Sequence, residues 1–557
     1  MKNFKKSLVL LLIFTLASTF VLSACDSNKG SSESAGETEA NPNTDTEEKA
    51  AFDASKLQIK AIDEKTLEVT LAAETPYFLE LTAFPTYMPV EMSVVEENGE
   101  SWATSAPTYI GNGPYKILEW VPDSHITMEK NEYYYDYDNL GPESITFNLI
   151  EDDTSRYNAY QTGELSFVRN LPQEMIPTLN SESDFHMLSE MGTYYISYNV
   201  EVEPFNDPLV RQAFTLAIDR EYIANQIGGG SYVPAGAYVP SGLTDADSTK
   251  DFRDVGGDYY DPYDYEGNLA KAKELLAEAG YENGEGLPTI EYVYNDTSLH
   301  IQIAEYLQQA WSELGAMVSL EVQEWSTFIN TRKSGSFQTA RNGWLADYND
   351  PITFLDMFIT DGGNNDGRWS NTEFDSLITQ IKTTSDASER MSMMHEAEDI
   401  LFDEWVLNPV MYYSVSYMWD TALDDSIWTS PIGFNHFMYA EGFDNLQVCV
   451  GPSTDTIDPA LNTTVDGGTV IIHAFEGLYK LDKNGVPVPG MAESVEVSED
   501  GLTYTFTLRD GIAFSDGTLI TAQDFFDSWI RAINPATGAD YSYMFEVIAG
   551  YREAIGE

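Results

Sequence analysis

An arginine and an aspartate at opposite ends of one extended segment can hold the two ends of a short zwitterion. Arg341 and Asp347 stand in that relation within Phe337–Phe354, FQTARNGWLADYNDPITF. Between them lie Asn342, Gly343, Trp344 and Leu345, and beyond them the Asn349-Asp350-Pro351 turn. The residues alone leave two readings open. One is an ordinary strand and turn with two solvated charges. The other is a clamp in which each charge waits for a counter-charge from a ligand.

Other chemistry has little to stand on. The six histidines, at 125, 186, 300, 395, 436 and 473, form no HxxxH or HExxH pair. His395-Glu396 falls in a helical run, MSMMHEAEDILF, and is expected on a solvated face. Two cysteines, Cys25 and Cys449, exclude a disulfide scaffold and a cysteine zinc site. There is no G-x-S-x-G, no P-loop and no G-x-G-x-x-G after a strand. Gly228-Gly229-Gly230 reads as a loop. No cofactor, metal or catalytic residue is called.

The whole chain bounds the function further. Its 557 residues exceed one hydrophobic core and predict two or more lobes. A balance of 29 Lys+Arg against 91 Asp+Glu, a formal net charge of −62, repels phosphate backbones and excludes nucleic acid as a partner. Aromatic residues make up 13% of the chain, as expected of a large folded protein rich in amphipathic rings.

Residues 1–24 have the plan of a signal peptide: basic Lys2, Lys5 and Lys6, then apolar Leu8–Val21. The apolar run is short for a span. Asp26–Lys49 has almost no large apolar residue, and 25–50 is expected to be a disordered tether. From Leu57 the chain alternates as a hairpin, LQIKAIDEKTLEVTLA, turning at Asp63-Glu64-Lys65. A strand ending at Trp120 and another at residues 143–150 follow, then a helix and strand in DDTSRYNAYQTGELSFV. Gly192–Asn199 and 408–419 read as strands. Helices are expected after Asp207-Pro208, over Asn268–Ala279, Leu299–Leu314 and Ser385–Phe402, with Gly280 and Gly315 as stops. This alternation of helix and strand indicates an α/β fold.

Several of these stretches carry a resemblance. PFNDPLVRQAFTLAIDR, YIGNGPYKILEW, Lys130-Asn131 with Tyr134-Tyr135, and the Arg341–Asp347 strand resemble the bacterial oligopeptide-binding proteins of ABC transporters, extracellular solute-binding protein family 5. Leu22-Ser23-Ala24-Cys25 resembles a lipoprotein lipobox. The resemblance implies a two-lobed periplasmic-binding-protein-like fold, class II, cluster C, with an extra subdomain. Lobe I is expected in 91–191 plus 414–475, the extra subdomain in 51–90 plus 476–557, and lobe II in 192–413.

The block from Leu446 resembles the amino-terminal part of the family instead of its carboxyl end, through Glu476-Gly477-Leu478-Tyr479, Pro489-Gly490, TFTLRD and the Phe514–Trp529 run. Each family segment occurs once, cut and rejoined, so the chain resembles a circular permutant of the family, with the old ends joined through Glu441–Asn445.

By the same resemblance, Asp347 would take a peptide's α-ammonium, while Arg341, Arg332 and His300 would serve its carboxylate. Thr463, Thr464, Val465 and Asp466, with Asn342, Gly343 and Trp344, match two strands that sandwich the ligand backbone. Tyr195, Tyr413, Tyr541, Trp325 and Trp344 match pocket aromatics, although core packing is the alternative for each. Leu345 joins the set, and it stands with Gly192 where some relatives carry a disulfide. Phe84 occupies a position that can be His in relatives. The implied protein is a monomer, lipid-anchored to the cell membrane at Cys25 on its extracytoplasmic face. It would bind oligopeptides and deliver them to ABC permease subunits, and it is not an enzyme. The alternatives are a binding protein for another solute, an oligosaccharide or metal-chelate, or an extracytoplasmic glycoside-active enzyme.

Overall fold

The hairpin expected after Leu57 is formed by β1 (Ile59–Ala61) and β2 (Thr66–Thr70). Asp63 closes its turn by accepting the backbone N–H groups of Lys65 and Thr66, each at 2.9 Å. The computed structural model describes residues 52–556, apart from 248, 431, 454 and 455. The signal peptide, Cys25 and the tether lie outside the described residues.

A meander of β3 (Tyr115–Val121), β4 (His125–Lys130) and β5 (Ser144–Leu149) comes next, then β6 (Phe167–Arg169) and the long β7 (Phe185–Tyr198). The middle of the chain supplies β8 (Val233–Pro234), β9 (Ile290–Asn295), β10 (Val318–Gln323), β11 (Thr339–Leu345) and the long β12 (Leu407–Trp419). The last part gives β13 (Trp428–Thr429), β14 (Asn435–His436), β15 (Asn445–Gly451), β16 (Tyr479–Leu481), β17 (Pro487–Pro489), β18 (Ala492–Val497) and β19 (Thr503–Leu508).

One large sheet runs in the order β10-β9-β11-β7-β12-β6-β15-β5-β4-β3, with β8 on β12. A smaller sheet runs β1-β2-β19-β18. Both sheets splice distant parts of the chain. β15 lies between β5 and β6, parallel to each, and β19 pairs antiparallel with β2. Parallel neighbours need long crossovers, and here the connection from β6 to β15 is residues 170–444, about half of the chain.

Side-chain caps start the principal helices. Asp207 accepts the N–H of Leu209 at 2.9 Å and starts Pro208–Leu216, which buries Val210 and Phe214. Asp264 caps Tyr265–Glu278, so this helix starts three residues before the expected Asn268. Thr297 caps Ser298–Ser312. Both helices end before glycines with positive φ, Gly280 at 94° and Gly315 at 81°, which provide left-handed stops. Ala387–Asp403 is the helix expected from Ser385. His395 on it is not simply solvated: its ring stacks on Phe252 at 3.9 Å and its Nε2 lies 2.9 Å from Asp245.

β7 and β12 are the spine of the large sheet. Their antiparallel register is broken twice, between Pro409 and Met411 and between Tyr412 and Ser414. At the second break Ser414 pairs with Ser189 while Tyr412 pairs with Thr193, so that Glu190-Met191-Gly192 on β7 stand opposite the single residue Tyr413. Apolar clusters pack on both sides of this spine. One gathers Phe214, Trp311, Tyr292 and Val410, and a larger one gathers Tyr87, Phe147, Phe434 and Trp529. Among the described residues no helix is long and apolar enough to cross a membrane.

Candidate functional site

β11 pairs along its full length with β7, from Thr339 opposite Tyr198 to Leu345 opposite Gly192. On its other edge β9 pairs only with Thr339 and Ala340. From Arg341 onward that edge has no partner strand among the described residues. It borders a cavity of about 610 Å³ whose wall includes Arg341, Gly343, Trp344, Leu345 and Asp347. His300, Trp325, Tyr413 and Tyr541 close it from other elements, with Thr463, Thr464 and Val465. A strand rises about 3.3 Å per residue, so six positions set Arg341 and Asp347 about 20 Å apart along the wall.

Two glycines let this wall form. A side chain at Gly343 would collide with the hydroxyl of Tyr413. At Gly192 one would collide with the side chain of Leu345, its cross-strand neighbour. Leu345 thus fills the space beside Gly192 at the position pair where the resemblance placed a staple in some relatives.

Asp347 is only 8% exposed. Its Oδ2 accepts the hydroxyl of Tyr543 at 2.7 Å. Burial pushes its carboxyl up to about 7, against the pull of the Tyr543 hydroxyl; the charge of Asp356 adds to the rise and the Tyr541 hydroxyl opposes it. Among the described residues no cation acts on it. This is an acid that pays for its burial without a counter-charge.

Arg341 has the opposite need. Its Nη2 donates to the Tyr413 hydroxyl at 3.1 Å, and its guanidinium lies 5.3 Å from the Tyr194 ring centre. Its Nε has no hydrogen-bond partner among the described residues. Among the described residues no carboxylate is within ion-pairing distance of it. His300 stands at the third position of its helix, its N–H bonded to Thr297 Oγ1 at 3.2 Å. Burial first, and then the Arg341 charge, hold its imidazole well below the ordinary range, so it is neutral at pH 7. Its Nδ1 also lacks a partner. A buried guanidinium, an unpartnered imidazole nitrogen and a helix N-terminus together favour an anion.

Four expected site residues are elsewhere. Arg332 is engaged behind β11, with its Nε 3.6 Å from Asp366 Oδ2 and its Nη1 donating to Asn342 Oδ1. Asn342 in turn donates to Ser197 at 2.9 Å and to Asp366 at 3.1 Å. Tyr195, opposite Asn342 in the register, is 1% exposed and meets Tyr238 edge-on at 5.2 Å. Side chains alternate across a strand, so Asn342 and Tyr195 share the face opposite Arg341 and Gly343. Asp466 turns to Arg169 at 3.3 Å and does not line the cavity. Thr463–Asp466 is also not a strand. Thr464 caps the helix Val465–Ala474, accepting the N–H of Gly467 at 3.1 Å, so this wall is a helix start.

The aromatics divide likewise. Tyr413 and Tyr541 face the cavity, and Trp325 faces it while 46% exposed. Phe84 also lines the wall and meets Tyr541 edge-on at 5.3 Å. Sequence reasoning missed Tyr543, which holds Asp347 from 196 positions away. It also missed Glu190 in the cavity wall, paired with Arg169 at 2.7 Å. A tyrosine two positions after the flagged Tyr541 was the only available signal. Among the described residues no group of three His, Cys, Asp or Glu is placed to hold a metal.

The family model described as bacterial extracellular solute-binding proteins, family 5 Middle, matches residues 28–366 and 486–554. The dipeptide-binding protein DppE of Bacillus subtilis is 36% identical over 388 residues, covering 69% of this chain and 70% of that protein. The oligopeptide-binding protein OppA of the same organism is 35% identical over 372 residues, 66% of this chain and 67% of the relative. Among solved structures, a periplasmic oligopeptide-binding protein from Borrelia burgdorferi is similar with a TM-score of 0.59 and 33% identity, over 66% of this chain and 71% of that one. OppA of Haemophilus influenzae, solved in complex with the peptide RPPGFSPFR, gives a TM-score of 0.57 at 27% identity, over 66% and 71%. The fold is α/β and two-lobed like these neighbours, and the chain belongs to family 5 of the bacterial extracellular solute-binding proteins.

Proposed function

We propose that the protein captures oligopeptides in the cavity along β11 and delivers them to an ABC permease. One observation carries this reading. A buried acid without a cation and a buried arginine without an acid stand at the two ends of one open strand edge. A linear peptide supplies an ammonium at one end, a carboxylate at the other, and a backbone that adds a strand between them. Asp347 takes the α-ammonium, and Arg341 with His300 takes the carboxylate. Gly343 leaves room for the close approach of Tyr413, while Trp325, Trp344 and Tyr541 offer faces to side chains of varied shape. Main-chain hydrogen bonding gives affinity that is tolerant of peptide sequence. The names of the relatives, two of them dipeptide- and oligopeptide-binding proteins, agree with this ligand class.

The protein acts by binding, not catalysis, as an extracytoplasmic monomer tethered by lipid at Cys25. Lobe II is 192–413, and lobe I with its subdomain comprises the remainder after the tether. The broken register of β7 and β12 marks the hinge on which the lobes close. Native mass spectrometry of the protein purified from cells tests the ligand class. Masses of co-purified peptides support the reading, and a sugar or metal-chelate adduct in their place overturns it.

A further inference from the structure

The hydroxyl that holds Asp347 comes from a short 3₁₀ helix, Asp540–Val547. Residues three apart eclipse one another on such a helix, so Glu546 stands on the face of Tyr543, one turn further on. Another side of the helix is fixed by packing, since Phe545 is fully buried and stacks on Tyr87 at 4.1 Å. The face of Tyr543 and Glu546 instead borders a separate cavity of about 280 Å³, which Tyr348, Asp356 and Lys382 also line. Space of this kind leaves the face room to shift unless a charge fixes it. Lys382 supplies the charge. Its Nζ lies 3.0 Å from Glu546 and 3.2 Å from Asp356, an acid on the segment that follows Asp347. Burial works against the Lys382 ammonium, yet the charges of Asp356 and Glu546 hold its pKa above the ordinary value. Burial works against the Glu546 carboxylate too, yet Lys382 and then Arg552 hold it below its ordinary value. Both groups are therefore ionised at neutral pH.

Resting on the peptide reading above, we infer that Lys382 and Glu546 are positioning residues. Their bridge ties the helix of Tyr543 to the segment of Asp347, aims the hydroxyl at the acid, and so adjusts how firmly the acid holds a ligand's α-ammonium. Neither residue lines the peptide cavity, so they act through Tyr543 and not on the ligand. A hydroxyl aimed at the carboxylate favours its charged form; turned aside, it leaves the buried acid to keep its proton. The titratable groups facing Asp347 are Tyr541 and Tyr543 of this helix, Asp356 further along its own segment and Tyr348 beside it. Glu80 is near them, accepting the N–H of Asn349 at 3.0 Å.

Glu546→Gln cuts the bridge gently. Lys382 keeps Asp356, and the Arg552 side chain, 59% exposed, can turn to water. Tyr543→Phe removes the hydroxyl outright. In NMR spectra of the unligated full chain with isotope-labelled aspartate, Asp347→Asn identifies the Asp347 carboxyl signal. Both variants should raise its titration midpoint by about half a unit to one unit, the worth of one hydrogen bond. By calorimetry below neutral pH, both should bind Ala-Ala-Ala about 2- to 10-fold more weakly than the wild type. The double variant should be no weaker than Tyr543→Phe alone, because the two changes act on one contact. A Glu546→Gln variant with the wild-type midpoint and affinity overturns the positioning role, even if its melting temperature falls. So do losses that multiply in the double variant. Failure of the wild type to bind Ala-Ala-Ala overturns the peptide reading instead, and the midpoint in the unligated variants still decides the role of the bridge.

Discussion

The hydroxyl of Tyr543 donates to Asp347 Oδ2 at 2.7 Å, across 196 positions of chain, and this neutral contact is what holds the buried acid. A phenol steadies a carboxylate without neutralising it. Among the described residues no cation supplies a counter-charge to this acid.

Asp347→Asn keeps the shape of that acid but removes its charge. Breaking one partner of a buried pair costs roughly 3–5 kcal/mol, or about two to four decades of affinity. The variant should bind free tripeptides that much more weakly by calorimetry. N-acetylated peptides should bind the wild type poorly for the converse reason. Equal binding of free and acetylated peptides returns β11 to an ordinary strand with two charges.

Asp347 also predicts a pH response of opposite sign for stability and for binding. Its carboxyl is raised from the ordinary 3.8 to about 7 in the folded chain. The folded state then holds a proton that the unfolded state releases, so its stabilising contribution is full below about pH 4 and is lost as pH rises through about 7. The magnitude is of order 4 kcal/mol. Between pH 5 and 8 the unligated wild type should lose more stability than Asp347→Asn in denaturant titrations. Peptide affinity should instead rise with pH, about tenfold per unit below 7, because the ammonium needs the ionised acid. The Asn variant should show a flat profile.

Arg341 and Arg332 should separate cleanly. Arg341→Gln removes a cation that no carboxylate of the described residues pairs with, so affinity should drop about 10- to 100-fold for peptides whose carboxylate reaches it. Its melting temperature should change little. Arg332→Ala instead strands Asp366 and Asn342 behind the strand and should lower stability by roughly 3–5 kcal/mol. A selective loss of affinity in Arg332→Ala, with normal stability, would restore it to the site.

Cys25→Ala should release the protein from the membrane fraction into the soluble fraction or the medium. One acyl chain alone holds a protein weakly, and a diacylated cysteine holds it well. Fractionation of cells followed by immunoblotting reads the outcome, and unchanged membrane retention refutes the lipid anchor.

The order of segments should matter little to the fold. Asp53 donates its N–H to the Ala554 carbonyl at 2.8 Å, so the first and last described stretches already touch. A reordered chain running from Leu446 to Glu557 and on from Ala51 to Glu441 should fold alike and bind the same peptides. Loop closure depends weakly on length, so the stability difference should be about 1–2 kcal/mol. A chemical denaturation curve for each order measures it, and a much larger gap shows that the present order carries a folding cost of its own.

Local elements were legible because their causes are local. The alternation after Leu57, the cap at Asp207, and the stops at Gly280 and Gly315 act within a few residues of themselves. The opposed charges of Arg341 and Asp347 were equally plain, since both lie on one short segment. What β11 does with them was settled by its neighbours. Pairing with β7 along one edge, and with β9 only as far as Ala340, turned Arg341 and Gly343 toward the cavity and Asn342 away from it. That choice of face took Arg332 and Tyr195 out of the wall, although both carried the right chemistry. Thr463–Asp466 became a helix start because the Thr464 hydroxyl found the Gly467 N–H, a local competition that the strand reading had passed over. Tyr543 and Glu190 entered the site from remote segments. Spacing along a chain carries no record of such contacts; only the packing of the sheets, which brings Phe84, Arg341 and Tyr541 to one place, decides them.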